Sequence, residues 1–296
     1  MTDVIVVGGG PAGVSAAIYL KRFKLDVTIL MKDYGTLGKT DHIENYYGFV
    51  EPITGKELFE NGIKQAKRLE IPVLVEEVLG IDYFDHFTVK TNKGEHEAKV
   101  VLLATGANRA SLKVKGFNDF LGKGISFCAV CDGFIYRNKR IAIVGSGEFM
   151  LEELDVLRNF STDLTLFTNG VPLEHDVEGV QIVSDKIKEI VGNDVITGVV
   201  TTNGTVDIDV LFVAMGTPSA ADFALRMGAF IDKNDIVVDD HLMTNIPGLF
   251  AAGDCIGGGW LQIVKAADDG SKAAFEINKY LRKQRKESTE NLGQGY

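Results

Sequence analysis

The feature that most constrains this chain is a glycine-rich turn enclosed by two short apolar strands. Gly8, Gly10 and Gly13 follow an apolar strand over residues 3–7, and a helical stretch and a second apolar strand over 26–30 come after them. The first glycine permits the tight turn, the second lets the backbone approach a pyrophosphate, and the third lets the helix pack closely against the strand. This spacing predicts a parallel βαβ unit in an α/β chain, with a phosphate site at the helix N-terminus.

A second unit of the same order lies mid-chain but differs where a phosphorylated cofactor would be held. An apolar strand over 141–144 runs into the turn Gly145–Gly147, and a helical stretch and a strand over 164–167 follow. The third small position is occupied by Met150, and the segment Thr168–Gly170 contains no Arg or Lys. A dinucleotide with a 2′-phosphate needs both room and positive charge at these places. We therefore expect the second unit to bind NADPH poorly.

Two further strand ends lie on either side of the second unit. One apolar strand ends at Ala104, Thr105 and Gly106, and another ends at Asp254, after which a long alanine-rich helix begins near Gln262. Because the second unit lies between them, we expect two Rossmann-like nucleotide-binding domains, the second inserted into the first. The predicted domains cover 1–112 with 243–296, and 113–242.

Composition and charge exclude several classes of protein. A formal net charge of -10 and a pI near 5.1 argue against binding to nucleic acid. No apolar run reaches the roughly 18 residues that a membrane span needs, and no charged leader with an apolar core precedes the first strand. We therefore expect a cytoplasmic protein without a membrane partner.

The three cysteines indicate redox or metal chemistry rather than a secreted disulfide framework. Cys128 and Cys131 form a C-x-x-C motif just ahead of the second unit, while Cys255 stands alone. Such a pair can close a small disulfide ring and act as nucleophile and resolving thiol, and the adjacent Asp132 can exchange protons with it. The alternative is half of a zinc site, which needs two more ligands from Cys255 and five scattered histidines. We favour the redox pair and expect no metal site.

Together these motifs resemble the low-molecular-weight thioredoxin reductases of the two-domain flavoprotein superfamily. The matching segments span nearly the whole chain and comprise Gly8–Gly13, His42–Phe49, Ala104–Ala107, Cys128–Gly133 and Ala252–Asp254. The resemblance implies a first domain that binds FAD, a second domain of the NADPH-binding type that carries the redox disulfide, and a homodimer. It also implies that thioredoxin is the protein substrate.

By the same resemblance, residues distributed over the first domain hold the FAD. The implied set is Gly8, Gly10, Pro11, Ala12, Gly13, Met31, Lys32, Gly38, Lys39, Asn45, Val78, Ala104, Thr105, Gly106, Gly253, Asp254, Gln262 and Ile263. Lys39 stands where many relatives carry Gln, and Leu261 stands where they usually carry Arg. Met31 and Lys32 replace the acid that often takes the ribose hydroxyls of an adenine site.

The family's division of labour assigns different roles to the two cysteines. Cys131 is implied to take electrons from the flavin, and Cys128 to attack the disulfide of thioredoxin, while Asp132 acts as the acid–base group. The motif spacing by itself does not order the two sulfurs. Cys255 is interpreted as a small packed residue rather than a third redox partner.

The second unit resembles most closely the clostridial members of the family, which take electrons from reduced ferredoxin. NADPH-dependent relatives carry a small residue at position 150 and His-Arg-Arg at 168–170. Loss of two charge-assisted contacts, each worth about 1.5–3 kcal/mol, weakens binding by roughly 10² to 10⁴-fold. We therefore expect electrons to pass from ferredoxin through FAD to the Cys128–Cys131 disulfide and on to thioredoxin.

Docking of an acidic ferredoxin on this acidic chain requires a local basic patch. The candidate is the C-terminal helix end, with Lys279, Arg282, Lys283, Arg285 and Lys286. The alternative for that segment is a solvated helix end with cations favoured by the dipole.

Two alternatives for the whole chain stay open, a reductase that uses NADPH or NADH in an atypical pocket, and a redox-sensing flavoprotein without fast turnover.

Overall fold

The computed structural model describes residues 1–106, 112–232, 234–258 and 260–293, with backbone alone for 288–293. The strands, in chain order, are β1 (Thr2–Val7), β2 (Val27–Met31), β3 (Val73–Val75), β4 (Val78–Tyr83), β5 (Phe87–Thr91), β6 (Gly94–Leu103), β7 (Ile125–Ser126), β8 (Ile141–Val144), β9 (Leu164–Phe167), β10 (Gln181–Val183), β11 (Ile187–Gly192), β12 (Ile196–Thr201), β13 (Thr205–Asp207), β14 (Val210–Val213), β15 (Ile231–Asp232), β16 (Asp235–Ile236) and β17 (Leu249–Ala251). The helices are α1 (Pro11–Arg22), α2 (Gly55–Arg68), α3 (Ala129–Asp132), α4 (Glu148–Leu157), α5 (Ala220–Arg226) and α6 (Ile263–Gly293).

The chain divides into two compact units, one inserted into the other. The first comprises Met1–Asn108 and Ser219–Tyr296, and the second comprises Arg109–Pro218. The predicted crossing back after residue 242 thus differs from the observed one after Pro218. The physical reason is burial, because Ala220 and Phe223 of α5 lie in the same apolar cluster as Val7 of β1. The other crossing falls near residues 107–111, which lie outside the described residues, as does Ala107 of the family motif.

The first unit is built on a mainly parallel sheet in the order β3-β2-β1-β6-β5-β4, with β17 also paired to β6. β1 pairs in parallel with β2 and β6, whereas β4 and β5 form an antiparallel meander. Apolar residues of α1 and α6 cover one face, and those of α5 cover the other. The carboxyl ends of β1, β2 and β17 meet at one edge, which is where nucleotides bind in such sheets.

The second unit contains a smaller sheet in the order β10-β9-β8-β14-β7, together with an antiparallel sheet of β11, β12 and β13. The pairs of the first sheet are all parallel. The helices α3 and α4 pack against one apolar cluster, and the antiparallel sheet packs against another. The predicted second βαβ unit is therefore present as β8, α4 and β9.

Among the residues that the structure describes, no helix is both long enough and apolar enough to cross a membrane.

Candidate functional site

The first glycine turn has the close packing that its spacing predicts. Gly8 has a φ of 120°, and a side chain there would overlap the carbonyl oxygen of Ala104. A side chain at Gly13 would likewise overlap the carbonyl oxygen of Gly8, so α1 lies directly against the turn. Gly10 precedes the helix without a side-chain cap, and a Cβ at this glycine would meet nothing within 4 Å. The N-terminus of α1 therefore points its backbone N–H groups towards open space, as an anionic phosphate requires.

A cavity of about 750 Å³ opens directly beside this turn. Its lining includes Gly9, Gly10, Pro11, Phe49, Phe59 and Ile263. Pro11 is the first helical residue, and the first turn of α1 carries no acidic side chain that would repel a phosphate. The combination of an apolar wall and a phosphate-binding turn suits a large amphipathic cofactor.

The end of β2 brings together three of the residues that the family resemblance implies for FAD binding, Met31, Lys32 and Val78. The Met31 carbonyl accepts a hydrogen bond from the N–H of Glu76 at 2.9 Å, and Lys32 forms a 2.8 Å ion pair with Glu77. Val78 is buried at the start of β4, immediately after that acid. Glu77 therefore brings a carboxylate to the strand end from which the usual acid is missing. Sequence reasoning overlooked it because it lies 45 residues beyond Lys32.

Other residues implied to bind FAD come from segments far apart in the chain. The Asn45 amide donates a hydrogen bond to the Gln262 side chain at 3.0 Å. Gln262 caps α6 through its carbonyl, and Ile263 is the first residue of that helix, as the sequence predicts. Gly38 and Lys39 lie in a 3₁₀ helix over Leu37–Lys39.

Asp254 has the properties expected of a ligand to a bound hydroxyl group. Its Oδ1 is buried and has no hydrogen-bond partner within the described part of the chain. Burial raises the pKa of this carboxyl, Lys265 opposes that shift, and Asp269 adds to it. Gly253 precedes it with a φ of 81°, and a side chain there would press against Ala12. An orphaned acceptor beside a glycine cradle fits the ribityl chain of FAD.

The segment after β6 has a structural role as well as a place in the site. The N–H of Ala104 bonds to the carbonyl of Val7 at 2.8 Å, which fixes the strand end beside the glycine turn. The Thr105 hydroxyl accepts a hydrogen bond from the N–H of Ala220 at 3.0 Å, so this side chain caps α5. Gly106 has a φ of 84°.

The second unit contains the redox pair as a closed disulfide between Cys128 and Cys131. Cys128 is fully buried and Cys131 is exposed. The Ser126 hydroxyl donates to Asp132 at 2.6 Å and accepts from the N–H of Cys128 at 3.2 Å. Ser126, which the sequence pattern did not single out, thus links the candidate acid–base group to the backbone of the redox pair. Among the described residues, no group of three or more potential metal ligands occurs.

Cys255 lies outside this centre. Its thiol is buried in the first unit and bonds weakly to the carbonyl of Ala252 at 3.3 Å. Burial raises the pKa of the thiol to about 12. At neutral pH it is therefore a protonated and unreactive packing group.

Met150 does not occupy the phosphate space in which the sequence argument placed it. Its side chain is 1% exposed and belongs to the apolar cluster between α4 and the sheet. Its Cβ lies 2.7 Å from where a Cβ on Gly145 would be, so the residue packs beneath the turn. The prediction that Met150 blocks a bound phosphate is therefore wrong, because α4 turns this side chain towards the core.

A carboxylate from a later loop lies beside the second turn instead. The N–H of Glu174 bonds to the carbonyl of Ser146 at 3.0 Å. The carboxylate oxygens of Glu174 lie 3.1 and 3.2 Å from where a Cβ on Gly147 would be. Glu148 begins α4 and lies 3.8 Å from His175. Glu174 and Glu148 thus lie at the start of α4, whereas the first turn of α1 carries no acid. Their negative charge disfavours a pyrophosphate at the second turn.

The residues after β9 serve the fold. The Asn169 side chain accepts a hydrogen bond from the N–H of Ile187 at 2.8 Å, with a φ of 53° at Asn169. The Thr168 hydroxyl is buried without a partner among the described residues. One cation is nevertheless near, because the side chain of Lys186 lies within 3.3 Å of where a Cβ on Gly170 would be. Sequence reasoning overlooked this lysine because the fold, not the motif, brings it there.

The basic segment of α6 is partly neutralised. Lys279 pairs with Glu276 at 2.6 Å, Arg285 with Asp3 at 3.4 Å, and Lys283 with Glu287 at 3.9 Å. Arg282 and Lys286 are exposed. The segment is a helix surface of mixed charge rather than a purely basic patch.

Comparison with known proteins places these features in one family. Residues 2–270 match the profile of the pyridine nucleotide-disulphide oxidoreductases. The chain is similar to the thioredoxin reductase of Rickettsia prowazekii, with 34% identity over 95% of this chain and 99% of the relative. It is also similar to the crystal structure of an atypical thioredoxin reductase from Desulfovibrio vulgaris Hildenborough, with 33% identity, a TM-score of 0.88, and coverage of 96% and 99% of the two chains. A ferredoxin-flavin thioredoxin reductase from Clostridium acetobutylicum is similar at 30% identity, a TM-score of 0.69, and coverage of 95% and 98%.

Proposed function

The chain belongs to the pyridine nucleotide-disulphide oxidoreductases and, within them, to the thioredoxin reductases that bind FAD, and from that premise we propose that its electron donor is reduced ferredoxin. The observation that carries the proposal is the second glycine turn, where the Glu174 carboxylate lies beside Gly147. No basic residue occupies the segment Thr168–Gly170. Similarity to a ferredoxin-flavin thioredoxin reductase supports the same donor.

In this proposal the first unit holds the cofactor and the second carries the disulfide. The N–H groups at the start of α1 would hold the pyrophosphate of FAD, and Asp254 would accept a hydrogen bond from its ribityl chain. FAD, when bound, supplies the chemistry that joins a one-electron donor to a two-electron acceptor. The protein is proposed to act in the cytoplasm as a homodimer.

The cysteine chemistry is an exchange of disulfide for dithiol. The Cys128 thiolate attacks one sulfur of the thioredoxin disulfide, which releases the other thioredoxin sulfur as a thiolate. The Cys131 thiolate then attacks the Cys128 sulfur of the mixed disulfide, which releases the remaining thioredoxin sulfur as a thiolate and closes the Cys128–Cys131 disulfide again. Asp132, held by the Ser126 hydroxyl, accepts the proton that a thiol must lose and returns it to the leaving sulfur. Because Cys128 is buried in this form, the attack requires a state in which its sulfur is exposed.

One observation favours a second candidate, a thioredoxin reductase driven by a nicotinamide dinucleotide. Lys186 lies beside Gly170, at the end of β9 where a 2′-phosphate is commonly recognised. This single cation offers one of the contacts that the missing arginines would supply.

Anaerobic bleaching of the flavin distinguishes the two donors. The oxidised protein is mixed in parallel with NADPH, NADH and reduced ferredoxin, and the flavin absorbance is followed by stopped flow. We expect ferredoxin to bleach the flavin much faster than millimolar NADPH. Complete bleaching within milliseconds at micromolar NADPH would reject the ferredoxin proposal and establish the second candidate.

A further inference from the structure

A buried carboxylate in α4 contacts the redox motif, although no sequence pattern sets it apart. Glu153 is 1% exposed, whereas the adjacent Glu152 is exposed. Leu154 and Leu157 of the same helix belong to the apolar cluster that packs on this face of the sheet. Burying a carboxylate in such surroundings is costly unless hydrogen bonds satisfy it. The Glu153 carboxylate therefore needs hydrogen-bond donors inside the protein.

One partner of the Glu153 carboxylate is the backbone of the redox motif. Glu153 Oε2 accepts a hydrogen bond from the N–H of Ala129 at 2.6 Å, and this N–H belongs to the peptide that joins Cys128 to Ala129. The N–H of Cys131 lies 3.1 Å from the sulfur of Cys128. Hydrogen bonds from N–H groups to carboxylates are short and strong. A side chain from a different helix thus fixes the peptide next to the sulfur assigned to attack thioredoxin.

We propose that Glu153 is a positioning residue of the redox centre, which holds the Cys128–Ala129 peptide and places a negative charge close to the Cys128 sulfur. The inference rests on the thioredoxin reductase function but not on the identity of the electron donor. Asp132, which accepts a hydrogen bond from the Ser126 hydroxyl, contributes a second carboxylate at the motif. Both carboxylates disfavour the thiolate form of the reduced pair.

This charge affects how strongly the pair reduces other disulfides. Reduction adds two electrons and two protons to the Cys128–Cys131 disulfide and yields two thiols, one of which becomes a thiolate by losing a proton. A stabilised thiolate stabilises the reduced form and makes a pair more oxidising. By disfavouring the thiolate, Glu153 keeps the pair strongly reducing, which favours electron flow towards thioredoxin.

The test is a redox titration of the holoenzyme against dithiothreitol at pH 8.5, near the ordinary pKa of a cysteine thiol. The reduced fraction of the pair is counted by thiol alkylation and mass spectrometry. Glu153→Gln keeps an acceptor for Ala129 but removes the charge. We expect its equilibrium constant for reduction to rise about three- to tenfold, which corresponds to roughly 14 to 30 mV for a two-electron couple.

Glu152→Gln is the matched control, because it removes the same charge from an exposed position of the same helix. We expect it to titrate like the wild type. The proposal would be overturned if the equilibrium constant for reduction in Glu153→Gln equals that of the wild type. It would also be overturned if Glu152→Gln shifts this constant by the same amount. Should Glu153→Gln fail to fold, Glu153→Met replaces it in the titration, and a wild-type equilibrium again overturns the proposal. The titration uses neither ferredoxin nor NADPH, so its result does not depend on which of them is the electron donor. The thioredoxin reductase function is tested separately, and a wild-type protein that does not reduce thioredoxin would contradict it.

Discussion

At the scale of single residues, three cysteines have three different environments. Cys128 is buried next to the carboxylate-bound peptide, Cys131 is exposed, and Cys255 is buried in the first unit. We expect Cys128→Ser to abolish thioredoxin reduction while the flavin is still reduced by its donor. Cys131→Ser should instead block electron transfer between flavin and disulfide. Stopped-flow bleaching and thioredoxin turnover measure the two steps separately, and wild-type turnover by both variants would exclude the pair as the redox centre.

Cys255 offers a prediction about pH. Burial raises the pKa of its thiol to about 12 in the folded protein, whereas a cysteine in the unfolded chain has a pKa near 9. Because the folded pKa is the higher one, this contribution to stability is complete below pH 9 and is lost as the pH rises towards 12. The slope is about 1.4 kcal/mol per pH unit within that window.

Urea unfolding at several pH values between 8 and 10.5 checks this slope. We expect the free energy of unfolding of Cys255→Ala to fall less steeply above pH 9 than that of the wild type, while thioredoxin turnover is kept. Native protein should also leave this thiol unlabelled by iodoacetamide at pH 8. Rapid labelling there would contradict the buried and protonated state.

At the scale of elements, α1 and α6 approach each other through glycine. A side chain at Gly270 would overlap the carbonyl oxygen of Ala12, and the Ser15 hydroxyl donates to the carbonyl of Ala267 at 2.7 Å. This contact places the beginning of α6, with Ile263, beside the first glycine turn. We therefore expect Gly270→Ala to separate the helices, to lower the free energy of unfolding by roughly 1–3 kcal/mol as overpacked cores do, and to lower the FAD content.

Gly62→Ala in α2 is the matched control. A Cβ there would lie 3.6 Å or more from the side chain of Val14, which is an ordinary contact. Replacing a glycine inside a helix by alanine adds about 0.5–1 kcal/mol of stability when space permits. Thermal unfolding and flavin absorbance per chain check both variants, and equal FAD content and melting temperature in the two would contradict the close approach.

The elements themselves could largely be predicted from local pattern. The first glycine turn, both βαβ units and the start of α6 near Gln262 follow from apolar runs and glycine spacing, and the observed helix and strand ends differ by about a residue. Glu77, Glu153 and Lys186 could not be predicted, because only the tertiary fold brings them beside their partners. The predicted orientation of the Met150 side chain was wrong for a related reason, because motif spacing does not show which side of α4 faces the core. The place of α5 was missed because its apolar face matches a sheet more than 100 residues away in the chain.

At the scale of the whole molecule, docking of the proposed ferredoxin donor depends on where positive charge lies on the surface. The chain has a net charge of -10, and the basic end of α6 is partly paired with acids. Residual positive charge for an acidic ferredoxin thus rests on exposed cations such as Arg282 and Lys286. Because interactions between exposed charges are screened by salt, we expect bleaching by ferredoxin to slow as ionic strength rises. A rate independent of salt between about 0.01 and 0.5 M would argue against electrostatic docking.

We expect the carboxylate beside the second glycine turn to be the barrier to NADPH. Since Met150 packs in the core, Met150→Ala should destabilise the second unit by about 2–5 kcal/mol without opening the phosphate space. Glu174→Gln, in contrast, removes the charge beside Gly147 and keeps the backbone bond of Glu174 to Ser146. Two like charges about 4 Å apart near a protein surface repel by between about 1 and 4 kcal/mol, so we expect NADPH to bind roughly tenfold or more tightly. The nearby Lys186 provides the cation that this binding would use.

Calorimetric titration of the oxidised holoenzyme measures that affinity, and flavin bleaching shows whether tighter binding leads to electron transfer. Glu178→Gln is the control, because Glu178 is an exposed acid of the same loop that contacts Arg158 through its backbone carbonyl. It should leave NADPH affinity unchanged. If Glu174→Gln binds NADPH no better than Glu178→Gln, the carboxylate is not the barrier, and the missing arginines alone account for weak binding. If Glu174→Gln binds tightly yet bleaches slowly, charge at the turn controls affinity while the donor preference has a separate structural cause.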